Sequence, residues 1–480
     1  MPETTVIRNA SAALVFDADT GQHAYAEGVD IAFTDGTLTH VGPGFADAAE
    51  AEIDGRGFFV MPGLVDIHSH PASEPMNKGF LDELGSPRLY GSSLYEFMPL
   101  FRPDETGRDA CVEVALSELM LSGVTTVVDL SLAREGWLDV LAASGMRAVA
   151  APMYRSGPWR TDTGHVVTYD LDEAAGRAAM ETALATVDAA QAHPCGRLSG
   201  MVAPAQIDTC TEGLLRDSLA EAEARGVPLQ IHAAQSVVEF HEITRRHGMT
   251  PIAWLDHLGL LRPGTIIGHG IFLNDHPWVH WPQANDFDRL AASGAAVAHC
   301  PGVFQRRGIA LNTLGRYRRA GIPVGIGVDT FPHNMLEEMR SALYCSRLMS
   351  GDVFDLRTAD VVDCATTVGA AILGRADIGR LAVGAKADVV LVELGHPAMQ
   401  PVRDPLRSLI YTAAERAVRH VFIDGIQRVR DGRVLSFDLP AALATLQEAQ
   451  RRAESAFRQL DFAGRTHAEA SPHVYPGLRT

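Results

Sequence analysis

The 480-residue chain carries 59 acidic and 41 basic residues, a formal net charge of −18 at pH 7 that argues against nucleic acid or an anionic membrane as a partner. Its hydrophobic fraction of 46% supplies a sizeable core, yet no apolar run reaches the roughly 20 residues that span a bilayer. Met1 to Ala10 lacks a basic region followed by an apolar one, and six cysteines lie scattered without metal-like or scaffold-like spacing. Reduced thiols and a cytoplasmic location are the expectation.

In chain order, residues 1–61 hold short runs such as Thr5-Val6-Ile7-Arg8 and Asp30-Ile31-Ala32-Phe33 with turns at Asp35-Gly36 and Asp54-Gly55, the pattern of a small β-domain. Similar runs return at Ala387–Val392 and Val418–Gly425, so residues 378–436 are expected to complete one discontinuous domain, a β-sandwich built from both chain ends. Between them, residues 62–377 alternate strand-like and helix-like runs. The strands are read at Met61–His70, Gly123–Asp129, Arg147–Pro152, Leu198–Ala203, Val227–His232, Thr265–His269, Ala295–His299 and Ile322–Asp329. Helical patterns fall at Arg108–Ser122, Asp172–Ala190, Glu212–Arg225, Gln235–His247, Asp286–Ser293 and Met335–Ser350. Eight such alternations predict an α/β fold, a (β/α)8 TIM barrel whose active site lies where the strands run out into loops. The loop from Pro71 to Pro103 has the length of a lid or binding loop, and residues 437–480 read as a terminal helix, Ala441–Leu460, with a tail.

Histidines and an aspartate fall at the predicted strand ends. His68 and His70 are two apart, so on a strand they face one point. His232, His269 and His299 end the fifth, sixth and seventh strands, and Asp329 ends the eighth. Each alone reads as a buried, satisfied histidine or an N-cap; together they surround one barrel mouth. His68, His70 and His232 supply neutral nitrogen ligands and Asp329 an anionic oxygen, leaving a position for water on a divalent ion that lowers the water's pKa. Asp329 can then take a proton and pass it to the leaving nitrogen. His269 fits better as a group that orients water or polarises the scissile group, and His299 as a substrate contact or, equally, a packed polar residue.

The segment Pro62-Gly63-Leu64-Val65-Asp66-Ile67-His68-Ser69-His70, the His232 and His269 strand ends, His299-Cys300-Pro301, Gly327-Val328-Asp329 and the stretch Gly379–Asp388 resemble the amidohydrolase superfamily over nearly the whole chain. With Trp254–Leu261, the likeness is to the branch of triazine hydrolases and nucleobase or adenosine-type deaminases. The resemblance implies a metal-dependent hydrolase and a homodimer or larger homo-oligomer. Binuclear members bridge their metals through a carboxylated lysine on the fourth strand. This chain has only Lys78 and Lys386 (41 − 2 = 39 arginines), and neither lies there. One divalent metal per chain is therefore expected, zinc first, with iron, cobalt or manganese open to the same ligand set.

Deaminases of this branch carry glutamate three residues after the fifth-strand histidine, where this chain has Gln235. An amide can hydrogen-bond but cannot relay a proton, whereas a carbonyl can be activated by the metal alone. The sequence thus favours hydrolysis of an amide, lactam, urea or carbamate C–N bond. The alternatives are an aminohydrolase of an N-heterocycle or hydrolytic displacement on a triazine-like ring. Glu239, a turn further on, is open to substituting for the missing acid but reads first as a solvated helix residue. Phe80, Tyr95, Trp159, His165, Phe304 and His333 follow strands and are expected to line a pocket for a small apolar or aromatic molecule.

Overall fold

A computed structural model describes residues 3–477. Eight short parallel strands run through its middle: Leu64–Ser69, Val124–Asp129, Arg147–Ala150, Leu198–Gly200, Leu229–Ala233, Thr265–His269, Ala296–His299 and Val324–Ile326. The first four pair side by side in chain order, and so do the last four. Isolated parallel bridges, Ser69 to Asp329 on one side and Val202 to Leu229 and Gln206 to His232 on the other, link the two sets. This is the strand arrangement of a TIM barrel. The first, second and fifth strands are buried along their whole length, as expected where helices cover one face and the barrel interior the other.

The two chain ends meet in one seven-stranded sheet. Phe58–Pro62, immediately before the first barrel strand, pairs antiparallel with Val389–Glu393, and Ala12–Asp17 pairs with Phe58–Pro62. Thr4–Ala10, Val29–Thr34, Thr37–Gly42 and Ala51–Asp54 form a separate four-stranded sheet. Arg147, at the start of the third barrel strand, is buried and gives both faces of its guanidinium edge to this region: Asp388 accepts at 3.0 and 3.1 Å and Asp424 at 3.1 Å.

The loop after the first strand is held from outside. Phe80 stacks on Phe101 at 4.0 Å between centroids and meets Phe457 edge-on at 5.5 Å. Phe457 belongs to helix Leu439–Leu460, whose Ala442, Leu446, Ala449, Ala453 and Phe457 recur at the spacing of one helical face and bury it against the loop and helix Glu105–Leu121. Gln450 Nε2 donates to the carbonyls of Met76 and Lys78 at 2.7 and 2.9 Å. The terminal helix begins two residues before the expected Ala441 and ends at the expected Leu460. The tail adds a short helix, His467–Ala470.

Replacing Arg147 by methionine leaves Asp388 buried without its counter-charge. Chemical denaturation is expected to register a loss of about 3–5 kcal/mol.

Candidate metal centre and active site

The site is assembled from strand ends. His68 and His70 leave the first strand, His232 the fifth, His269 the sixth, and Asp329 follows the eighth. Main-chain bonds from Asp329 N–H to His68 O (2.8 Å) and from His70 N–H to Asp329 O (2.9 Å) lock the first strand to the eighth. Beneath them Asp66, fully buried, accepts from the N–H groups of His68 and Val328 at 3.0 and 3.1 Å.

Three histidines have one ring nitrogen already committed. Nδ1 of His70 faces Leu130 O at 2.8 Å, Nδ1 of His232 faces Ala205 O at 2.6 Å, and Nδ1 of His68 bonds to Gln230 Oε1. A carbonyl oxygen can only accept, so each Nδ1 carries the proton and each Nε2 keeps its lone pair. Those Nε2 atoms converge: His70 to His232 is 3.2 Å, and Asp329 Oδ1 lies 3.3 Å from His70 Nε2 and 3.6 Å from His68 Nε2. His269 Nε2 lies 3.8 Å from Asp329 Oδ2.

The charge states suit a cation. Burial lowers the pKa of His232 far below the ordinary histidine value, neighbouring histidines adding to it, and burial lowers His269 to about 3. Burial alone would raise Asp329, but positive charge on the surrounding His269, His68 or His70 outweighs it and holds the carboxyl ionised, a role a metal cation would take over beside neutral imidazoles. Neutral imidazoles and one carboxylate are the donors a divalent metal takes, and the buried Nε2 of His68 has no hydrogen-bond partner. His68, His70, His232 and Asp329 therefore fit a metal ion. Cys300 Sγ also falls within reach of His68, His269 and Asp329, but burial, with Asp329, Glu338 and Asp66 nearby, pushes its thiol far up and keeps it protonated. Close packing keeps His68 in place. A Cβ on Gly268 would lie 2.7 Å from His68 Cε1, and one on Gly327 would lie 2.5 Å from His68 Cβ.

Over the site opens a cavity of about 360 Å³. His70, His232, His269 and Asp329 reach it from below, and Trp159, Phe272 and Phe304 are among its apolar walls. Phe304 meets His269 edge-on at 4.7 Å between centroids. Glu74, from the first-strand loop, is a buried carboxyl in the cavity wall that accepts from Asn77 Nδ2 at 3.3 Å; among the described residues it forms no ion pair, though Arg307 and Arg306 are near enough to lower its pKa. Burial, then Asp329, pushes it up to about 7.

Residues 59–428 match the model of the amidohydrolase family. The chain belongs to the amidohydrolase family. It is 30% identical over 411 residues to a 5-methylthioadenosine/S-adenosylhomocysteine deaminase of Natronomonas pharaonis, covering 85% of this chain and 89% of that one. To an 8-oxoguanine deaminase of Pseudomonas aeruginosa it is 31% identical over 417 residues, covering 83% and 88%. Its fold is similar to that of an adenosine deaminase from Xanthomonas campestris with bound zinc, with a TM-score of 0.77, 23% identity and coverage of 95% and 100%. This amidohydrolase is a metal-dependent hydrolase of carbon–nitrogen bonds other than peptide bonds.

Of the substrate contacts expected from sequence, Trp159 and Phe304 line the cavity, as does Gln235. The others do not. Phe80 is consumed in the stack with Phe101, and Tyr95 packs on Trp159 with its hydroxyl on Ser236 Oγ at 2.6 Å. His165 is exposed on a loop, and His299 and His333 are buried away from the cavity. Glu239 is not solvated: it is fully buried, and its carboxyl accepts from the N–H groups of Ala234 (2.6 Å) and Gln235 (3.3 Å), bracing the turn after the fifth strand. Lys78 pairs with Glu118 and Lys386 with Asp424, and neither belongs to the ligand cluster.

Four features escaped the sequence reading: Glu74, Asp66, Cys300 and the Gln230 partner of His68. Only Gln230 carried a signal, being two residues before His232 on the same strand face.

Gly268→Ala forces the His68 ring to move. The variant is expected to keep the far-ultraviolet circular dichroism of wild type while losing metal affinity by roughly 10- to 100-fold in competition with a chelator.

Proposed function

We propose that this amidohydrolase is a mononuclear aminohydrolase that releases ammonia from an amino-substituted N-heterocycle. What carries the reading is the match of more than four-fifths of the chain to relatives named as deaminases of purine compounds. A divalent ion held by His68, His70, His232 and Asp329, zinc first, supplies a water of lowered pKa and a Lewis-acidic centre. Asp329 accepts a proton from the attacking water at its carboxylate and returns it to the departing nitrogen. His269, kept neutral by burial and 3.8 Å from Asp329 Oδ2, orients the attacking group. Water adds to the ring carbon, the C–N bond breaks, and ammonia leaves with the transferred proton.

The difficulty raised by Gln235 is that the ring nitrogen must also gain and lose a proton. Glu74 sits in the same cavity wall with a carboxyl that burial keeps near neutrality although Arg307 and Arg306 are near enough to lower it, and can carry that proton while Gln235 hydrogen-bonds the ring. A second reading, hydrolysis of an amide, lactam, urea or carbamate, is favoured by Gln235 itself, whose buried Nε2 has only the neighbouring Glu239 carboxyl as a prospective acceptor among the described residues and can turn to a carbonyl oxygen. The same proposal includes one metal per chain, a barrel closed over all eight strands, a β-sandwich from both chain ends, and a homo-oligomeric cytoplasmic enzyme. No described helix is long and apolar enough to cross a membrane.

Coupled detection of ammonia on a panel of aminopurines, aminopteridines, aminotriazines, amides and lactams tests the reading. Ammonia from the exocyclic amine of a heterocycle, abolished by metal removal, is expected. Glu74→Gln is expected to lower that kcat by roughly 100-fold or more with metal content unchanged. Turnover confined to ring-opening or acyl C–N bonds, indifferent to Glu74→Gln, would replace it with the second reading.

A further inference from the structure

Five arginines line the cavity, in a chain whose net charge is −18. Arg102 ends the first-strand loop, Arg108 lies in the first turns of helix Glu105–Leu121, Arg134 follows the second strand, and Arg155 follows the short strand Met153–Tyr154. Arg307 comes from the opposite side, after the seventh strand. Elsewhere arginines are largely neutralised by carboxylates, but here only Arg134 is, through Asp109 at 2.8 Å. Among the described residues the side chains of Arg102, Arg108 and Arg155 make neither an ion pair nor a hydrogen bond. Arg307 spends its Nη atoms on Ser93 Oγ and Val303 O, and its buried Nε, like Nη1 of Arg134, has no partner.

Cations brought together without counter-charges repel one another, and the repulsion is felt. Arg102 is exposed and Arg108 and Arg155 are half-buried; partial desolvation lowers the pKa of Arg102, and the cations of Arg155 and Arg108 lower it further. The acidic groups of the cavity, Glu74 and Asp329, are at the reacting end; apolar Leu130 and Trp159 line the same cavity. A ligand filling such a space would have its reacting bond at the histidines, an apolar or aromatic body, and a negative end among the arginines. Guanidinium groups match the planar or tetrahedral oxygens of carboxylate and phosphate by paired hydrogen bonds.

We propose that Arg102, Arg108 and Arg155 form a subsite for an anionic group of the substrate, a carboxylate or phosphate borne on the side of the molecule remote from the bond that breaks. This rests on the cavity being the substrate site of the proposed hydrolase, and it replaces the neutral substrate expected from the aromatic residues alone. Arg134 and Arg307 flank the subsite, with one donor each still open.

Calorimetric titration of the metal-loaded enzyme with benzoate, phenyl phosphate and the neutral acetophenone tests this without any turnover. At low salt an anionic probe is expected to bind at least about tenfold tighter than acetophenone, and the advantage should shrink as salt is raised. Arg102→Met and Arg155→Met are each expected to cut that advantage by roughly threefold or more, and the double variant to remove it, while Arg155→Lys retains part of it. Tighter benzoate assigns a carboxylate, tighter phenyl phosphate a phosphate. Equal affinity for the neutral probe overturns the proposal. So does an advantage that survives in a double variant with wild-type circular dichroism, since the anion would then be bound at the metal. An intact preference in an enzyme that releases no ammonia would refute the deaminase reading and leave the subsite standing.

Discussion

The site depends on where three imidazole protons are held. Leu130 O, Ala205 O and Gln230 Oε1 each accept from the Nδ1 of a histidine, and by doing so turn three Nε2 lone pairs toward one point. Without those acceptors the rings could flip or take the other tautomer, and the carboxylate of Asp329 would face N–H donors rather than ligands. The acceptors belong to three different elements, which ties ligand orientation to correct assembly of the barrel mouth. Tight packing reinforces it, because the sixth and eighth strands come so near His68 that only glycine fits at Gly268 and Gly327.

Around this centre the cavity wall carries both signs of charge. Carboxyl groups and neutral histidines stand at the metal-ligand cluster, and five arginines complete the wall, Arg307 among them near enough to Glu74 and Asp329 to feel both. The loop that supplies Glu74 and Arg102 is kept in place by the terminal helix through Phe457 and Gln450, so a segment at the far end of the chain conditions the active-site wall. Arg147 does similar work from below, tying the third barrel strand to Asp388 and Asp424.

Six of the eight barrel strands were readable as short apolar runs ending in a polar residue, and the sixth, Thr265–His269, matches to the residue. Helices Glu212–Arg225, Asp286–Ser293 and Met335–Ser350 were readable from their periodicity, with the Gly that follows each. Trp137–Ser144 was missed, being only eight residues long with an N-terminal Gly136 in place of a side-chain cap. The metal-ligand candidates were legible because geometry requires them at strand ends. The cavity wall was not. Whether Phe80 faces substrate or Phe101, and whether Glu239 meets water or the N–H groups of Ala234 and Gln235, depends on loop paths and tertiary contacts that local pattern does not encode. The arginines come from four loops and a helix start, and no sequence spacing links them.

The central claim is that these three histidines and Asp329 hold a single divalent ion. Elemental analysis of the purified protein, set against an accurate chain concentration, measures it directly. The account predicts about one metal per chain in wild type and a near-complete loss in His68→Ala and Asp329→Ala variants that still fold. Two metals per chain, or one that persists in both variants, would contradict it.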